Sequence, residues 1–359
     1  MKKIDWYIIK KFLGTFFYTL TLLLLVVIVI DISEKIDDFM EHDLSIFTII
    51  SKYYLHFIPY FANLFSPLFI FISVVFFTSK MANNTEIIAI YNSGMSFKRF
   101  LRPFIISSIF LATFSFILGS FIIPISNKNR IDFENKYFKK SRVSVDKNIH
   151  IQIKKDQYIY LESYNTQRDI GYKFSLENYK NGKLISKLRA QYIQWDSDLK
   201  KWKLNNYEIR EFKGEGEIFS KGIVLDSVFA LKPTDFIKQK NLAQSMKLFE
   251  LNKYIKQEEL KGTTNTVYYK IEKHKRIAFP FSVIILTIIA VSLSSKKIKG
   301  GIGLHFGLGL LISFSYILFF QFSSTLATNG DLHPWIAVWI PNIIYIILGI
   351  FLLRKTQNS

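Results

Sequence analysis

The sequence predicts an α-helical membrane protein with six transmembrane helices, three on each side of an inserted extracytoplasmic antiparallel β-jellyroll domain. Two observations predict this architecture. Hydrophobic residues make up 50% of the 359 residues and concentrate in two blocks, 12–124 and 277–353. The stretch between the blocks is polar and charged, and its roughly 150 residues suit one independent domain. We therefore expect helices one to three within 1–124, the β domain within 125–275, and helices four to six within 276–359.

Six apolar segments are long enough to be transmembrane helices, because crossing the hydrocarbon core takes roughly twenty residues. The predicted spans are 12–30, 55–78, 103–123, 277–294, 302–322 and 335–353. The first span is longer than the apolar region of a cleavable signal, and no small-x-small cleavage site follows it. We therefore expect it to remain as a spanning helix.

The charges of the short loops predict how the spans are oriented. Although the net charge is +19, Lys and Arg gather at the ends of apolar runs, which is a membrane pattern and not that of a nucleic-acid-binding protein. Besides the two termini, the basic side carries Lys80, Lys98, Arg99, Arg102, Lys296, Lys297 and Lys299. The other side carries Asp31, Glu34, Asp37, Asp38, Glu41, Asp43 and Asp331. Both termini are therefore expected in the cytoplasm, with the β domain outside it.

Alternation of apolar and polar residues predicts seven or so short strands between about residues 149 and 229. The pair Asn181-Gly182 lies between two such runs and is typical of a tight hairpin turn. No helical pattern interrupts the strands, which favours an antiparallel sandwich or jelly roll. Helical periodicity returns over 245–259, with Leu251 and Ile255 among the residues of its apolar face.

The sequence lacks the motifs of several functional classes. It has no cysteine, no P-loop, no H-E-x-x-H, no G-x-S-x-G and no clustered metal-ligand spacing, so we expect no catalytic site, metal or cofactor in this chain. Ion-driven transporters usually carry ionisable residues inside their spans. Outside the ends of the helices, His305 is the one such side chain within a predicted span, and a structural role at the membrane edge is favoured over a proton relay.

A short amphipathic helix is predicted at about 84–95, in the cytoplasmic loop after the second span. Asn84 or Thr85 can cap its start and Gly94 can end it. Ile87, Ile88 and Tyr91 are expected on one side, and Glu86 lies in the first turn. The pattern alone leaves two alternatives, a helix lying on the lipid surface and a helix that docks on a protein partner.

Three segments resemble the lipopolysaccharide-export permease family LptF/LptG, also called YjgP/YjgQ. Residues 85–96 (TEIIAIYNSGMS) resemble its coupling helix, and residues 4–8 (IDWYI) resemble the opening L-D-R-Y-I, closer to the LptG branch. A third match runs from residue 246 to the entry of the fourth span at residue 280. The resemblance covers essentially the whole chain.

The resemblance implies a transport subunit without its own catalysis in the inner membrane. An LptB-type ATPase dimer would bind the ATP, a paralogous LptF/LptG permease would complete the pore, and an LptC and LptA-type bridge would receive lipopolysaccharide. Spans one and five would be the lateral gates. The coupling-helix residues implied to meet the ATPase, with Glu86 as the charged anchor, are Thr85, Glu86, Ile87, Ile88, Ile90, Tyr91 and Gly94.

A basic group at the outer membrane edge would suit the phosphates of the lipid headgroup. The candidates are Lys35, Lys128, Arg130 and Lys136, and solvated interfacial charges are the alternative. The chain departs from the family at Asp31, where a lysine is expected. Two other functions stay open, a membrane-anchored periplasmic sensor and a mechanotransmitting permease. The first would need a cytoplasmic output domain, and the second typically has fewer spans.

Overall fold

The computed structural model describes residues 2–138, 146–165, 168–213, 216–229, 233, 239–260, 266–296, 301–328 and 332–357. The predicted loop residues Lys297, Lys299 and Asp331 lie outside these ranges. The chain divides into two compact units. The first unit comprises Met1–Arg130 and Lys270–Ser359, and the second comprises Ile131–Tyr269.

Helices form the first unit and flank the sheet of the second. They are α1 (Lys3–Glu41), α2 (Ile46–Ile49), α3 (Leu55–Asn83), α4 (Glu86–Asn92), α5 (Phe97–Ile117), α6 (Ile123–Tyr137), α7 (Gln239–Ser245), α8 (Leu248–Leu260), α9 (Val267–Ser294), α10 (Gly301–Thr328) and α11 (Pro334–Gln357). In the described part of the chain, six helical segments are long and apolar enough to cross a membrane. The prediction of six spans is therefore confirmed.

Two of the spans are continuous helices that contain a π-helical turn. Ile50–Tyr54 joins α2 to α3, and Leu118–Ile122 joins α5 to α6. A π turn adds a residue to the helical repeat and so changes which side chains share a face. In the first of these turns, the consecutive residues Tyr53 and Tyr54 are both buried. The sequence did not predict either turn.

The six spans differ greatly in how far their own chain covers them. Within this chain, 72% of the apolar window of α9 is buried, but only 11% of that of α1. A buried hydrogen-bond network connects α9 to α10 and α11. Asn342 on α11 donates to the carbonyl oxygen of Ala278 on α9 at 2.8 Å and accepts from the Tyr316 hydroxyl on α10 at 2.8 Å. Such bonds hold helices together where lipid offers no hydrophobic driving force between them.

His305 lies at the start of α10 and is buried. Its Nε2 donates to the carbonyl oxygen of Lys296, 3.0 Å away, just after the end of α9. This contact satisfies a carbonyl at a helix C-terminus, which has no partner within its own helix. The geometry gives His305 a structural contact of the kind favoured by its position in the sequence.

The second unit contains a six-stranded antiparallel sheet. Its strands are β1 (Asp146–Lys154), β2 (Gln157–Asn165), β3 (Ile170–Lys180), β4 (Lys183–Asp196), β5 (Lys201–Lys213) and β6 (Gly216–Ser227). Among these described strands, the order in the sheet is the order in the chain. The predicted antiparallel β domain, inserted between the third and fourth spans, is confirmed.

The sheet owes its core to the alternation seen in the sequence, because successive strand residues point to opposite faces. The buried core of this unit is a cluster of apolar side chains: Ile159, Leu161, Tyr164, Phe174, Leu176, Leu188, Ala190, Ile193, Trp202 and Leu204. The predicted hairpin joins β3 to β4, where Asn181 and Gly182 have φ angles of +51° and +76°. The predicted helix at 245–259 is found as α8, which buries Leu251 and Ile255.

Candidate coupling site

The start of α4 is set by backbone geometry and not by a side-chain cap. Thr85 precedes the helix with φ +61°, a left-handed conformation, and its side chain makes no capping bond. Its hydroxyl donates instead to the carbonyl oxygen of Asn84, at 2.6 Å. The Asn84 side chain donates to Glu86 Oε1, at 3.3 Å. The predicted side-chain cap was therefore wrong, since such a cap requires an extended backbone at that position.

The end of α4 follows the prediction. Gly94 has φ +84°, and its N–H donates to the carbonyl oxygen of Tyr91, at 2.9 Å. A glycine in this conformation satisfies a carbonyl at the helix end without strain on a side chain. The chain then enters α5, where the hydroxyl of Ser96 accepts from the Arg99 N–H at 3.4 Å.

One side of α4 is buried on its own unit, and the other side is open. Ile87 and Ile90 are 1% and 8% exposed, whereas Ile88 is 48% exposed. The prediction that Ile87, Ile88 and Tyr91 share a side was wrong for Ile88, because adjacent helical residues are about 100° apart around the axis. The open side presents Asn84, Thr85, Ile88, Ala89 and Asn92.

Tyr91 lies between the two sides of α4. Its ring makes an edge contact with Phe100, with centroids 5.9 Å apart. Burial raises the pKa of the Tyr91 hydroxyl to about 12. In the described part of the chain this hydroxyl has no hydrogen-bond partner. Tyr91 therefore fixes the helix to α5 by packing alone.

Glu86 is the acidic group of α4 and is partly exposed. The Tyr7 hydroxyl, from the first turns of α1, donates to Glu86 Oε2 at 3.3 Å. Together with the bond from Asn84, this contact holds both carboxylate oxygens at the side of the helix. The carboxylate is oriented but remains open to a further donor, because a carboxylate accepts about four hydrogen bonds. Sequence reasoning did not identify Tyr7.

A second contact joins α1 to the segment that follows α4. Arg99 Nη1 and Nη2 donate to Asp5 Oδ1 and Oδ2, at 2.8 and 2.7 Å. The Lys2 N–H also donates to Asp5 Oδ2, at 2.8 Å, and Asp5 is only 3% exposed. Sequence reasoning counted Arg99 as a loop charge and missed this pair. A lone carboxylate among basic residues at the N-terminus was the available signal.

At the other end of α1, the predicted headgroup residue Lys35 lies in an ion pair. Its Nζ is 2.6 Å from Asp31 Oδ1 and also donates to the Tyr53 hydroxyl. The Tyr54 hydroxyl donates to Asp31 Oδ2, at 3.1 Å. The π turn makes this arrangement possible by directing both tyrosines toward α1. Asp31 thus neutralises Lys35.

The three other headgroup candidates have different surroundings. Lys128 is exposed on α6. The Arg130 guanidinium lies over the Tyr60 ring, 5.3 Å from its centroid, which favours a cation. Lys136 belongs to the second unit, with its ammonium over the ring of Tyr137. No group of three or more His, Cys, Asp or Glu able to hold a metal occurs among the described residues.

A family comparison decides what kind of protein carries this site. The model of the lipopolysaccharide export system permease LptF/LptG matches residues 6–355. This chain belongs to the LptF/LptG family. A comparison with curated proteins finds no match. The match takes in both blocks of spans and the β domain, so the resemblance noted in the sequence is confirmed.

Membership of the LptF/LptG family defines the location and the general role of the chain. It is a multi-pass inner-membrane protein and a transport subunit, a lipopolysaccharide-export permease of an ABC transporter that works with an ATPase. From the resemblance noted in the sequence, we expect the ATPase to dock on the short helix after the second span. In this chain that helix is α4, whose buried side faces its own spans and whose open side faces outward.

Proposed function

We propose that this chain extracts lipopolysaccharide from the inner membrane and passes it to a periplasmic bridge, powered by an LptB-type ATPase dimer. The observation that carries the proposal is the form of α4. The helix is fixed by Ile87 and Ile90 on its own unit, while Glu86 and Ile88 are left accessible to a partner. A helix that only rested on lipid would direct its apolar side outward. Here the larger apolar contact is made inward.

In the proposed assembly, the open side of α4 occupies a groove of the ATPase. Glu86 supplies the charged contact to a basic residue of the partner, and Ile88 supplies an apolar one. Thr85, Tyr91 and Gly94 set the start, packing and end of the helix, so they act on docking through its shape. ATP is bound by the partner, and this chain contributes no cofactor site.

The proposed orientation places α4 and both termini in the cytoplasm and the second unit in the periplasm. Lys80 at the end of α3 and Lys98 at the start of α5 are exposed beside α4. Basic residues next to span ends favour the cytoplasmic side. The acidic stretch from Glu34 to Asp43, which contains the end of α1, then lies on the periplasmic side.

The open faces of the spans indicate where a second permease would bind. A paralogous LptF/LptG permease would cover the faces of α1 and α10, whose apolar windows are only 11% and 28% buried within this chain. These two helices would be the lateral gates. LptC and LptA-type proteins would continue the route from the second unit. The uncharged interior of the spans suits acyl chains, which need no specific polar contact.

For the headgroup, we infer that Lys128 contributes more than Lys35. Lys128 lies on α6 in the first unit, and its side chain is exposed. Lys35 already has Asp31 as its counter-ion. A phosphate would have to displace that carboxylate before it could use Lys35 fully.

The test is to purify the chain in mild detergent from its native membrane and identify what accompanies it. We expect a P-loop ATPase, a related six-span permease and lipopolysaccharide. Glu86→Lys should greatly reduce the amount of ATPase recovered, because it reverses the charge of the docking contact. Asp198→Lys is the matched control, since Asp198 is an exposed acid in the turn between β4 and β5. Recovery of the chain alone, with Glu86→Lys and Asp198→Lys behaving alike, would refute the proposal.

A further inference from the structure

Two side-chain contacts fasten the segment around α4 to the first turns of α1. Glu86, at the start of α4, accepts from Tyr7, and Arg99, two residues into α5, pairs with Asp5. Asp5 and Tyr7 are two positions apart on one helix, whereas Glu86 is the first residue of α4 and Arg99 lies beyond its end. We call these four residues the clamp. The clamp joins the proposed docking helix to a transmembrane helix that is distant in sequence.

The two contacts of the clamp differ in strength. The Asp5–Arg99 pair has two parallel hydrogen bonds of 2.7 and 2.8 Å, and Asp5 is almost fully buried. Bidentate, charge-assisted pairs of this kind fix orientation as well as distance. The Tyr7–Glu86 bond is longer, at 3.3 Å, and exposed to solvent. Glu86 can therefore exchange Tyr7 for a cation of a partner while Asp5 and Arg99 stay together.

Helix α1 is suited to carry a displacement from the clamp across the membrane. It runs unbroken from Lys3 to Glu41 and contains no proline, the commonest cause of a kink. Ile8, Phe12 and Phe16 near its start are buried on its own unit, whereas none of residues 21–30 is buried within this chain. At its far end lies the Asp31–Lys35 pair. An unbroken helix of this kind can transmit a movement of its first turn to its far end.

We propose that Asp5 and Arg99 are positioning residues that transmit the movement of the docked α4 to α1. This inference rests on the proposed function and adds the route from the ATPase to the membrane. The Asp5–Arg99 pair is the permanent link, and the Tyr7–Glu86 bond is the contact released on docking. Coupling of α4 to α1 requires a contact that keeps its geometry while the two helices move. A buried bidentate pair provides such a contact.

The test uses the full transporter, reconstituted in liposomes with its ATPase and partner permease. Arg99→Gln alone leaves a buried, unpaired Asp5 and is expected to fold poorly. The informative variant is therefore the double neutral change Asp5→Asn with Arg99→Gln, which leaves no unpaired charge. We expect this variant to assemble and hydrolyse ATP, while lipopolysaccharide released per ATP falls about tenfold, in the usual range of coupling between sites. Lys98→Gln, which removes the neighbouring exposed charge, is the matched control and should not change this ratio.

The exchange of the two charges, Asp5→Arg with Arg99→Asp, should restore most of the transport per ATP. Unchanged transport per ATP in the double neutral variant would overturn the inference. Loss of assembly in that variant would also overturn it, because the pair would then serve folding or docking alone. An unaltered transporter that binds the ATPase but moves no lipopolysaccharide would instead refute the proposed function, so the two failures are distinguishable.

Discussion

At the scale of single residues, the pair between Asp31 and Lys35 decides how much positive charge the outer end of α1 offers to an anionic lipid. Asp31 and the hydroxyl of Tyr53 both hold the Lys35 ammonium. We predict that Asp31→Asn tightens lipopolysaccharide binding about tenfold, since a released lysine gains one charge-assisted hydrogen bond of roughly 1.5 kcal/mol. The measurement is lipid affinity of the purified assembly.

The control for that prediction is Asp37→Asn, which removes an exposed carboxylate from the same end of α1. Asp37 has the same charge, whereas Asp31 is the carboxylate 2.6 Å from the Lys35 ammonium. If both variants tighten binding equally, net charge alone is responsible, and the specific pairing of Lys35 does not matter to the headgroup.

At the scale of an element, the hairpin between β3 and β4 depends on Gly182. Its φ of +76° is unfavourable for a residue with a Cβ, although no atom lies within 4 Å of a Cβ built there. We predict that Gly182→Ala lowers the free energy of unfolding of the β unit by about 1 kcal/mol through conformation alone. Gly182→Asn should cost less, because Asn tolerates this conformation. The measurement is amide hydrogen exchange of β3 and β4. Equal losses of stability in Gly182→Ala and Gly182→Asn would contradict this explanation.

The cross-strand pair of Glu177 and Lys187 gives the same sheet a pH dependence. Lys187 donates to Glu177 at 2.5 Å, and this bond lowers the pKa of the Glu177 carboxyl below its ordinary 4.5. Because the unfolded chain then binds the proton at higher pH, the stabilisation is complete above pH 4.5 and is lost as the pH falls through the lowered pKa. We predict that Lys187→Met reduces this loss, measured by tryptophan fluorescence during urea unfolding between pH 3 and pH 6, while Tyr179 still donates to Glu177. A loss of equal size in the variant would assign it to other carboxyls.

The elements were predictable from the sequence where a local pattern decides them. Apolar length located the six spans, and alternation together with Asn181-Gly182 located the strands and their hairpin. The start of α4 was not predictable, since Thr85 adopts a left-handed conformation that is unfavourable for a β-branched residue. The Asp5–Arg99 pair was hidden because 94 positions separate its partners. The π turn at Ile50–Tyr54 could not be predicted, because no residue type or pattern marks such a turn in a sequence.

At the scale of the whole molecule, the orientation of the two units can be tested directly. The chain contains no cysteine, so single cysteines can be introduced without background. We predict that Asp198→Cys reacts with a membrane-impermeant maleimide in cells with a permeabilised outer membrane, whereas Ser93→Cys reacts only after the inner membrane is opened. Both side chains are exposed, so a difference reports location and not burial. The reverse order of labelling would invert the proposed topology.

The unequal covering of α1 and α9 also bears on how this protein changes over evolutionary time. A side chain of α9 is enclosed by its neighbours, and a change of size there costs about 1–3 kcal/mol. Most of α1 lies open within the chain, and lipid tails are as apolar as leucine, so apolar exchanges on its lipid-facing positions are nearly neutral. Lineages that carry this transporter should therefore drift freely among Leu, Ile, Val and Phe at the positions of α1 that face lipid in the assembly, while Asp5, the buried Phe12 and the interior of α9 stay fixed.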